Sequence, residues 1–286
     1  MSKKTSLPVA IWIVALIIVN FGIWSATANV KNLGEFRIYS LDVGQGDAAL
    51  LITPNGEQIL VDTGANDEII TLLNNHISLW DRELDLVVIS HWHDDHAGGL
   101  LSVLDNFEVN ELLAPNTTPE RYGNTFSENL NINYADPSDD YTWGSVSWDT
   151  LWPPFGWEAT DDPNDDSIIA KVSFSGTDFL FTGDAPSEIE QGVLSIYPTL
   201  TADIVKISHH GSKYSSSQNF VDTLNAKVGI ISAGLNNRYN HPHQEALDRW
   251  NAAGVEIYRT DQDGTIEIII APERITITTN GEKEFY

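Results

Sequence analysis

The apolar run from Leu84 to Ser90 ends directly in His91-Trp92-His93-Asp94-Asp95-His96, and this junction constrains the chain more than any other stretch. A short apolar run bounded in this way reads as a buried strand. Behind it, three imidazoles and a carboxylate fall within six residues, a dense set of ligands for a divalent metal. At the end of a strand a loop lets such groups converge, whereas a helix would spread them around its axis. Gly98 and Gly99 let the backbone turn tightly into the helix that follows. Only 8 histidines occur in 286 residues, so three together behind one strand are not the scatter of a solvated surface. The chain has no cysteine. Disulfides, thiolate ligands and cysteine nucleophiles are excluded together, and a metal must sit on His and carboxylate, a donor set that suits Zn, Mn or Fe.

The stretches around the junction alternate between strand and helix. Phe36–Leu41, Ala48–Ile52 and Gln58–Val61 read as strands, the last two joined by the turn Pro54-Asn55-Gly56. Asp67–Asn75 and Gly98–Leu104 read as helices, and Glu111–Ala114 as a short strand. Residues 115–165 are the least regular part and a natural place for a binding surface. Trp143, Trp148, Trp152 and Trp157 lie there, either as hairpin core, the commoner outcome, or as a stacking platform. Order returns with strands at Ser167–Ser175 and Asp178–Phe181, then a helix at Pro186–Leu194 that Asp184 would cap. Strands at Asp203–Ser208, Lys227–Ser232, Glu256–Arg259, Thr265–Ile270 and Arg274–Thr278 are interleaved with helices at Gln218–Leu224 and Gln244–Ala253. Strand runs broken by a few helices, twice over, predict two sheets packed face to face with helices outside, in one domain spanning 31–286.

Before that domain, Lys3 and Lys4 precede an uncharged run whose apolar centre is Leu7 to Trp24. That length matches the roughly 17–25 residues a helix needs to cross a bilayer, and lysines on its near side place the main body outside. Residues 1–30 are therefore expected to form a single-pass anchor in the cell membrane. Ala26-Thr27-Ala28 has the look of a cleavage site, which leaves a secreted form as the alternative; the run is longer than the usual signal core, which favours the anchor. The net charge is −26, from 41 acidic and 15 basic residues. The acids are scattered rather than blocked, which favours a halophilic surface over an acidic face for a cationic partner.

His-x-His-x-Asp-His after a strand resembles the metal-binding signature of the metallo-β-lactamase superfamily. Leu41-Asp42-Val43-Gly44-Gln45-Gly46-Asp47-Ala48, Leu60-Val61-Asp62-Thr63-Gly64, Phe181-Thr182-Gly183-Asp184, His209-His210-Gly211-Ser212 and Asn240-His241-Pro242 extend the likeness, in order, to the hydrolase domain of ComEC-type DNA-uptake proteins. The resemblance implies an α+β fold, a four-layer αββα sandwich with metals at the open end of the sheets. It implies one or two divalent ions, Zn or Mn. His91 and His93 would hold one, Asp95 and His96 a second, with Asp184 between them and one of His209 and His210 as a further ligand. Asp42, Asp47 and Asp62 would shape the site from behind. No histidine lies between Ala97 and Gly183; the branch carries Asn164-Asp165-Asp166-Ser167 there, so Asp165, Asp166 or water would complete the short site.

A bound metal lowers the pKa of its water toward about 7, giving hydroxide at neutral pH. Asp95 would orient that nucleophile, and His241, Ser212, Lys213 and Ser167 would grip substrate oxygens or protonate the leaving group. The activity implied is hydrolysis of a phosphodiester, with single-stranded DNA as a candidate substrate and a DNA-uptake channel as a candidate partner. A lactone or amide hydrolase is an alternative, and a non-catalytic binding module that kept the fold is another. The paucity of Lys and Arg leaves little for a long phosphate track.

Overall fold

The computed structural model describes residues 11–19, 34–117, 119, 122, 126, 130–279 and 282–285. Among them, two large sheets lie face to face. The first has nine strands, in the order β18 (Glu282–Phe285), β17 (Arg274–Thr278), β16 (Ile266–Ala271), β1, β2, β3, β5, β7 (Leu112–Ala114) and β8 (Ile132–Tyr134), and the second seven, β15, β14, β13, β12, β11, β10 (Val146–Trp152) and β9 (Tyr141–Trp143). Those that matter for the site are β1 (Phe36–Ser40), β2 (Ala49–Ile52), β3 (Gln58–Val61) and β5 (Leu86–Val88) in the first. In the second they are β11 (Ile169–Phe174), β12 (Thr177–Phe181), β13 (Ile204–Lys206) and β14 (Val228–Ile231). The apolar run at 84–90 is cut in two: β4 (Glu83–Leu84) pairs not with the large sheet but with β6 (Glu108–Val109).

Period-two alternation assigns each strand residue to a layer. Ile38, Leu51, Val61 and Val88 face Val172, Phe181, Ile204 and Ile230 in one core between the sheets. Their neighbours Leu50, Leu60, Val87 and Ile89 point the other way, onto α2 (Glu68–His76) and α4 (Leu100–Asn106). On the far side, Ile169, Leu180, Val205 and Ile231 pack beneath α5 (Ser187–Ile196), α6 (Gln218–Leu224) and α7 (Gln244–Ala252). Helices on both outer faces of two sheets make the expected αββα order. Trp148 is fully buried in the central core and Trp152 packs against Trp157, while Trp143 lies partly buried against the same core. Trp143, Trp148 and Trp152 lie on hairpin strands and Trp157 just beyond them, and all four pack against the cores rather than forming a stacking surface.

The strands β12, β13, β14 and β15 (Glu256–Arg259) run parallel. Their carboxyl ends, with those of β3 and β5, open on one rim, the usual place for a site in parallel sheets. There the inward-facing positions turn polar. Ile38 is followed on its face by Ser40, Val88 by Ser90, Ile204 by Lys206 and Ile230 by Ser232, and all four polar residues are buried. One helix differs from expectation at its start. The residue capping α5 is Pro186, not Asp184, which is released to face the site.

Of the N-terminal segment, only residues 11–19 are described, as α1; the remainder of the Leu7–Trp24 run lies outside the described residues. Among the described residues, no helix is long and apolar enough to cross a membrane.

Candidate metal centre

His91 and His93 follow β5, Asp95 and His96 lie in α3 (Asp94–Ala97), Asp184 follows β12, and the pair His209-His210 follows β13. His96 Nε2 lies 3.4 Å from Asp184 Oδ1, and His210 Nε2 lies 3.3 Å from Asp184 Oδ2 and 3.4 Å from Asp95 Oδ2. His91 Nε2 and His93 Nδ1 stand 3.0 Å apart. Two donors bound to one ion at about 2.0–2.2 Å with tetrahedral angles stand roughly 3.3–3.6 Å apart, so the His96, Asp95, Asp184 and His210 spacings are those of shared ligands.

Second contacts fix which nitrogen of each ring is free. His96 Nδ1 bonds Asp62 Oδ2 at 2.9 Å, and His210 Nδ1 donates to the Ser232 carbonyl at 2.9 Å. Each ring therefore carries a proton on Nδ1, which leaves Nε2 as the atom that can turn to a metal; both Nε2 atoms are buried without a hydrogen-bond partner. A carboxylate or carbonyl behind an imidazole is the usual support of a metal ligand. Asp62 is held in turn by the Ser90 amide and hydroxyl, each at 2.7 Å.

Both members of the His pair reach Asp184, but unequally. His209 Nε2 is 3.8 Å away and its side chain is 25% exposed, against 2% for His210. Adjacent residues ordinarily point to opposite sides. Here both sit in the left-handed region, φ 53° each, which swings the two rings to one site at a cost of about 1–3 kcal/mol per residue. His210 is the better ligand because its other nitrogen is anchored.

Sequence reading passed over Lys206. Its ammonium, nearly sealed from solvent, pairs with Asp47, donates to the Gly183 carbonyl at 3.0 Å and lies 3.5 Å from Asp184 Oδ1. Asp47 lies 3.7 Å from His96 Nδ1 and 3.3 Å from His210 Nδ1. Asp47, His96, Asp184 and His210 offer atoms all within 4.8 Å of one another. Asp47 meets the rings on their Nδ1 side, so it supports the ligands from behind, as does Asp62. Asp42 accepts the Gly44 amide in the loop before Asp47.

Charge explains why a cation belongs here. Four carboxylates, Asp47, Asp62, Asp95 and Asp184, gather around His96 and His210, and the Lys206 ammonium pairs with two of them, Asp47 and Asp184. Burial disfavours charge on His96, yet Asp184, Asp62 and Asp47 together hold its pKa up to about 10. His210 is raised well above its usual value against the same burial, by Asp184 and Asp47. Burial would raise the Asp184 carboxyl, but His210, His96 and Lys206 bring it well below the usual range. His91 is instead kept neutral by burial and by the charge of His96. Protons on two rings balance the carboxylates when no metal does, so metal binding must release them. The donor set fits a divalent cation.

Over this floor opens a cleft of about 610 Å³ lined by His93, Asp95, Asp184, His209 and His241, with Gln45, Asn164 and Arg238 among the rest. Three expectations need correction here. Asp165 and Asp166 do not complete the centre: Asp165 accepts from Thr160 and Asp166 from the Trp157 indole, while Asn164 lines the cleft. Ser167 is fully buried and accepts the Asp184 amide at 3.1 Å, so it positions Asp184 instead of touching substrate. Ser212 is buried, its hydroxyl accepting the Tyr214 amide, and the Lys213 ammonium rests over the Tyr214 ring at 5.3 Å; neither lines the cleft.

Comparison with known proteins agrees with this geometry. The chain is 30% identical over 258 residues to ComE operon protein 3 of Bacillus subtilis (strain 168), covering 82% of this chain and 33% of that protein. It is 28% identical over 246 residues to Recombination protein 2 of Haemophilus influenzae, covering 85% and 30% respectively. The chain thus spans about a third of the length of these relatives. Among solved structures, the metallo-β-lactamase fold protein YhfI of Bacillus subtilis superposes with a TM-score of 0.56 at 13% identity, covering 79% of this chain and 96% of that one. CmlA, a diiron β-hydroxylase from Streptomyces venezuelae, superposes with a TM-score of 0.55 at 15% identity, covering 83% and 54%. Residues 41–234 match the metallo-beta-lactamase superfamily. With that match, the αββα order and the buried Asp and His cluster, the chain belongs to the metallo-β-lactamase superfamily and is a metal-dependent hydrolase of it.

Proposed function

We propose that this hydrolase is a phosphodiesterase working outside the cytoplasm, with single-stranded DNA among its substrates, Mn or Zn as its metal, and a DNA-uptake channel as a partner. The observation that carries the reading is the cleft itself: an open trough, floored by a cation site, with Arg238 at its rim over the Tyr239 ring at 4.7 Å. A guanidinium on an aromatic face suits a polymer that offers phosphates and flat bases in turn. The names of two relatives support the same substrate and partner: Recombination protein 2, and Competence protein ComA of Neisseria gonorrhoeae, to which the chain is 29% identical over 238 residues. For the location, the apolar side chains of residues 11–19, Trp12, Leu16 and Ile18 among them, are all exposed on their helix, as a bilayer-covered segment would be.

His91, His93, Asp95, His96, Asp184 and His210 would hold the metal ions. When bound, a divalent ion supplies a Lewis acid for the anionic ester and lowers the pKa of water beside it. The chain does the rest. Asp95, at the cleft with its side chain 28% exposed, accepts a hydrogen bond from the attacking water and aims its lone pair at phosphorus. A new P–O bond would form as the attacking water gives up a proton to solvent, the ester P–O bond would break, and the leaving alkoxide would take one proton from solvent on the open side, where His241 lies.

The test is hydrolysis of bis-p-nitrophenyl phosphate and single-stranded DNA by the full chain in high salt, with Mn or Zn supplied separately. Turnover that needs metal and falls at least 100-fold in His93→Ala is expected. Absence of turnover with metal bound would sink the phosphodiesterase and point to a non-phosphate ester or amide. Because the chain has no cysteine, Trp80→Cys, at a position 87% exposed, reads out location. Labelling by a membrane-impermeant maleimide in intact cells is expected, and protection until lysis would overturn the placement.

A further inference from the structure

Gln45 sits between the β1–β2 loop, the His-rich turn and the loop leaving β14. A Cβ on Gly46, whose φ is +136°, would lie 2.2 Å from the Asp95 carbonyl oxygen, and one on Gly234 would lie 2.7 Å from the Gln45 amide nitrogen. Both neighbours must be glycine for the backbones to approach so closely, which leaves Gln45 little freedom to move. Its side chain is oriented as well. Gln45 Oε1 accepts the Gly234 amide at 3.2 Å. Only the oxygen can accept from an N–H, so the nitrogen must point the other way. That nitrogen, Nε2, is buried and has no hydrogen-bond partner, although Gln45 lines the cleft beside Asp95 and Asp184.

An orphaned buried donor is destabilising unless something accepts from it. Within the cleft, the Asn237 amide is already given to the Gly234 and His241 carbonyls, and Arg238 is exposed and bonded to Tyr239. Asn164 Oδ1 is unpartnered too, but it is an acceptor. We propose that the Gln45 Nε2 amide is a hydrogen-bond donor to an anionic oxygen of the bound substrate, held ready by the Gly234 contact and fixed against Asp95. On the phosphodiester reading, on which the identity of the anion rests, that oxygen is a non-bridging phosphoryl oxygen, whose negative charge grows as water attacks. A donor placed in advance lowers the barrier because it needs no reorganisation during the reaction.

The experiment compares Gln45→Glu and Gln45→Met in the full, metal-loaded chain. The first keeps an acceptor for the Gly234 amide and replaces the donor by a carboxylate; the second removes both at similar volume. Binding of inorganic phosphate is measured by calorimetry, with metal content alongside. Both variants should keep their metal and bind phosphate at least 10-fold more weakly, Gln45→Glu the weaker. On bis-p-nitrophenyl phosphate, kcat should fall roughly 100-fold, the loss typical of one oxyanion donor. Unchanged phosphate affinity, no phosphate binding by the parent chain, or loss of metal from both variants would overturn the assignment. Phosphate binding that both variants weaken, in a chain that hydrolyses no phosphodiester, would sink the proposed activity and leave Gln45 in this role.

Discussion

Behind Asp184, Asp47, Asp62, Ser90, Lys206 and the Nδ1 atoms of His96 and His210 stand in reach of one another, with Lys206 and every carboxylate among them buried. In front of it, Gln45, Asn164, His209 and His241 line the cleft, and each keeps one buried polar atom without a partner. The floor is a buried network of charges, whereas the mouth is a set of polar groups that line the open cleft. The floor should therefore govern folding and metal affinity, and the mouth should govern what binds on top. Substitutions on the two sides ought to separate these properties.

The largest separation is expected at Lys206. Lys206→Met keeps the length of the side chain and removes the charge, leaving Asp47 and Asp184 facing each other across a buried gap. Breaking a buried pair from one side costs about 3–5 kcal/mol. Chemical denaturation of the metal-free protein should show a loss of that size. The carboxylates left behind attract a divalent ion more strongly, so the stabilisation gained on adding metal should grow. Asn164→Ala, at the mouth, should change metal-free stability by no more than about 0.5 kcal/mol. Equal stability of the parent and Lys206→Met would mean that the floor carries no such charge network, and the contrast would collapse.

The two sides also differ in how much of them can be read from sequence. The αββα order was legible because apolar residues alternate so regularly: Ile38, Val88 and Ile230 in, Leu50, Val87 and Val205 out. The same parity would have found Lys206, since Ile204 faces the core and the residue two further on must follow it. Asp203–Ser208 was read as a strand without assigning its faces. Choosing between His209 and His210 was beyond reach, because two successive left-handed residues cancel the alternation. Asp165 and Asp166 were natural candidates by chemistry, but a tight turn at 163–166 rotates Asn164 to the cleft and hands both carboxylates to Thr160 and Trp157. The mouth was least legible of all. An unpartnered amide such as Gln45 Nε2 is defined by what surrounds it, and its surroundings come from loops far apart in sequence.

A smaller effect, but a sharper one, is expected at Asp62, where the floor sets the chemistry of a ligand without touching the metal. Asp62 adopts φ 60°, and Asn tolerates that region as well as Asp, so Asp62→Asn changes the chemistry and spares the backbone. The new amide can keep the Ser90 N–H bond through its oxygen. Its NH2 group then faces His96 Nδ1 in place of Asp62 Oδ2, 2.9 Å away. Two donors cannot share that contact, so the ring must move its proton to Nε2, the nitrogen that faces Asp184. A protonated Nε2 cannot ligate. Metal affinity, measured by competition with a chelator, should fall by about 10–100-fold, as it does when such supports are removed elsewhere, and two-dimensional NMR of the imidazoles should report the switched tautomer. An unchanged affinity would show that His96 binds no metal or binds it through another atom, and the line between floor and mouth would have to be redrawn on the far side of that ring.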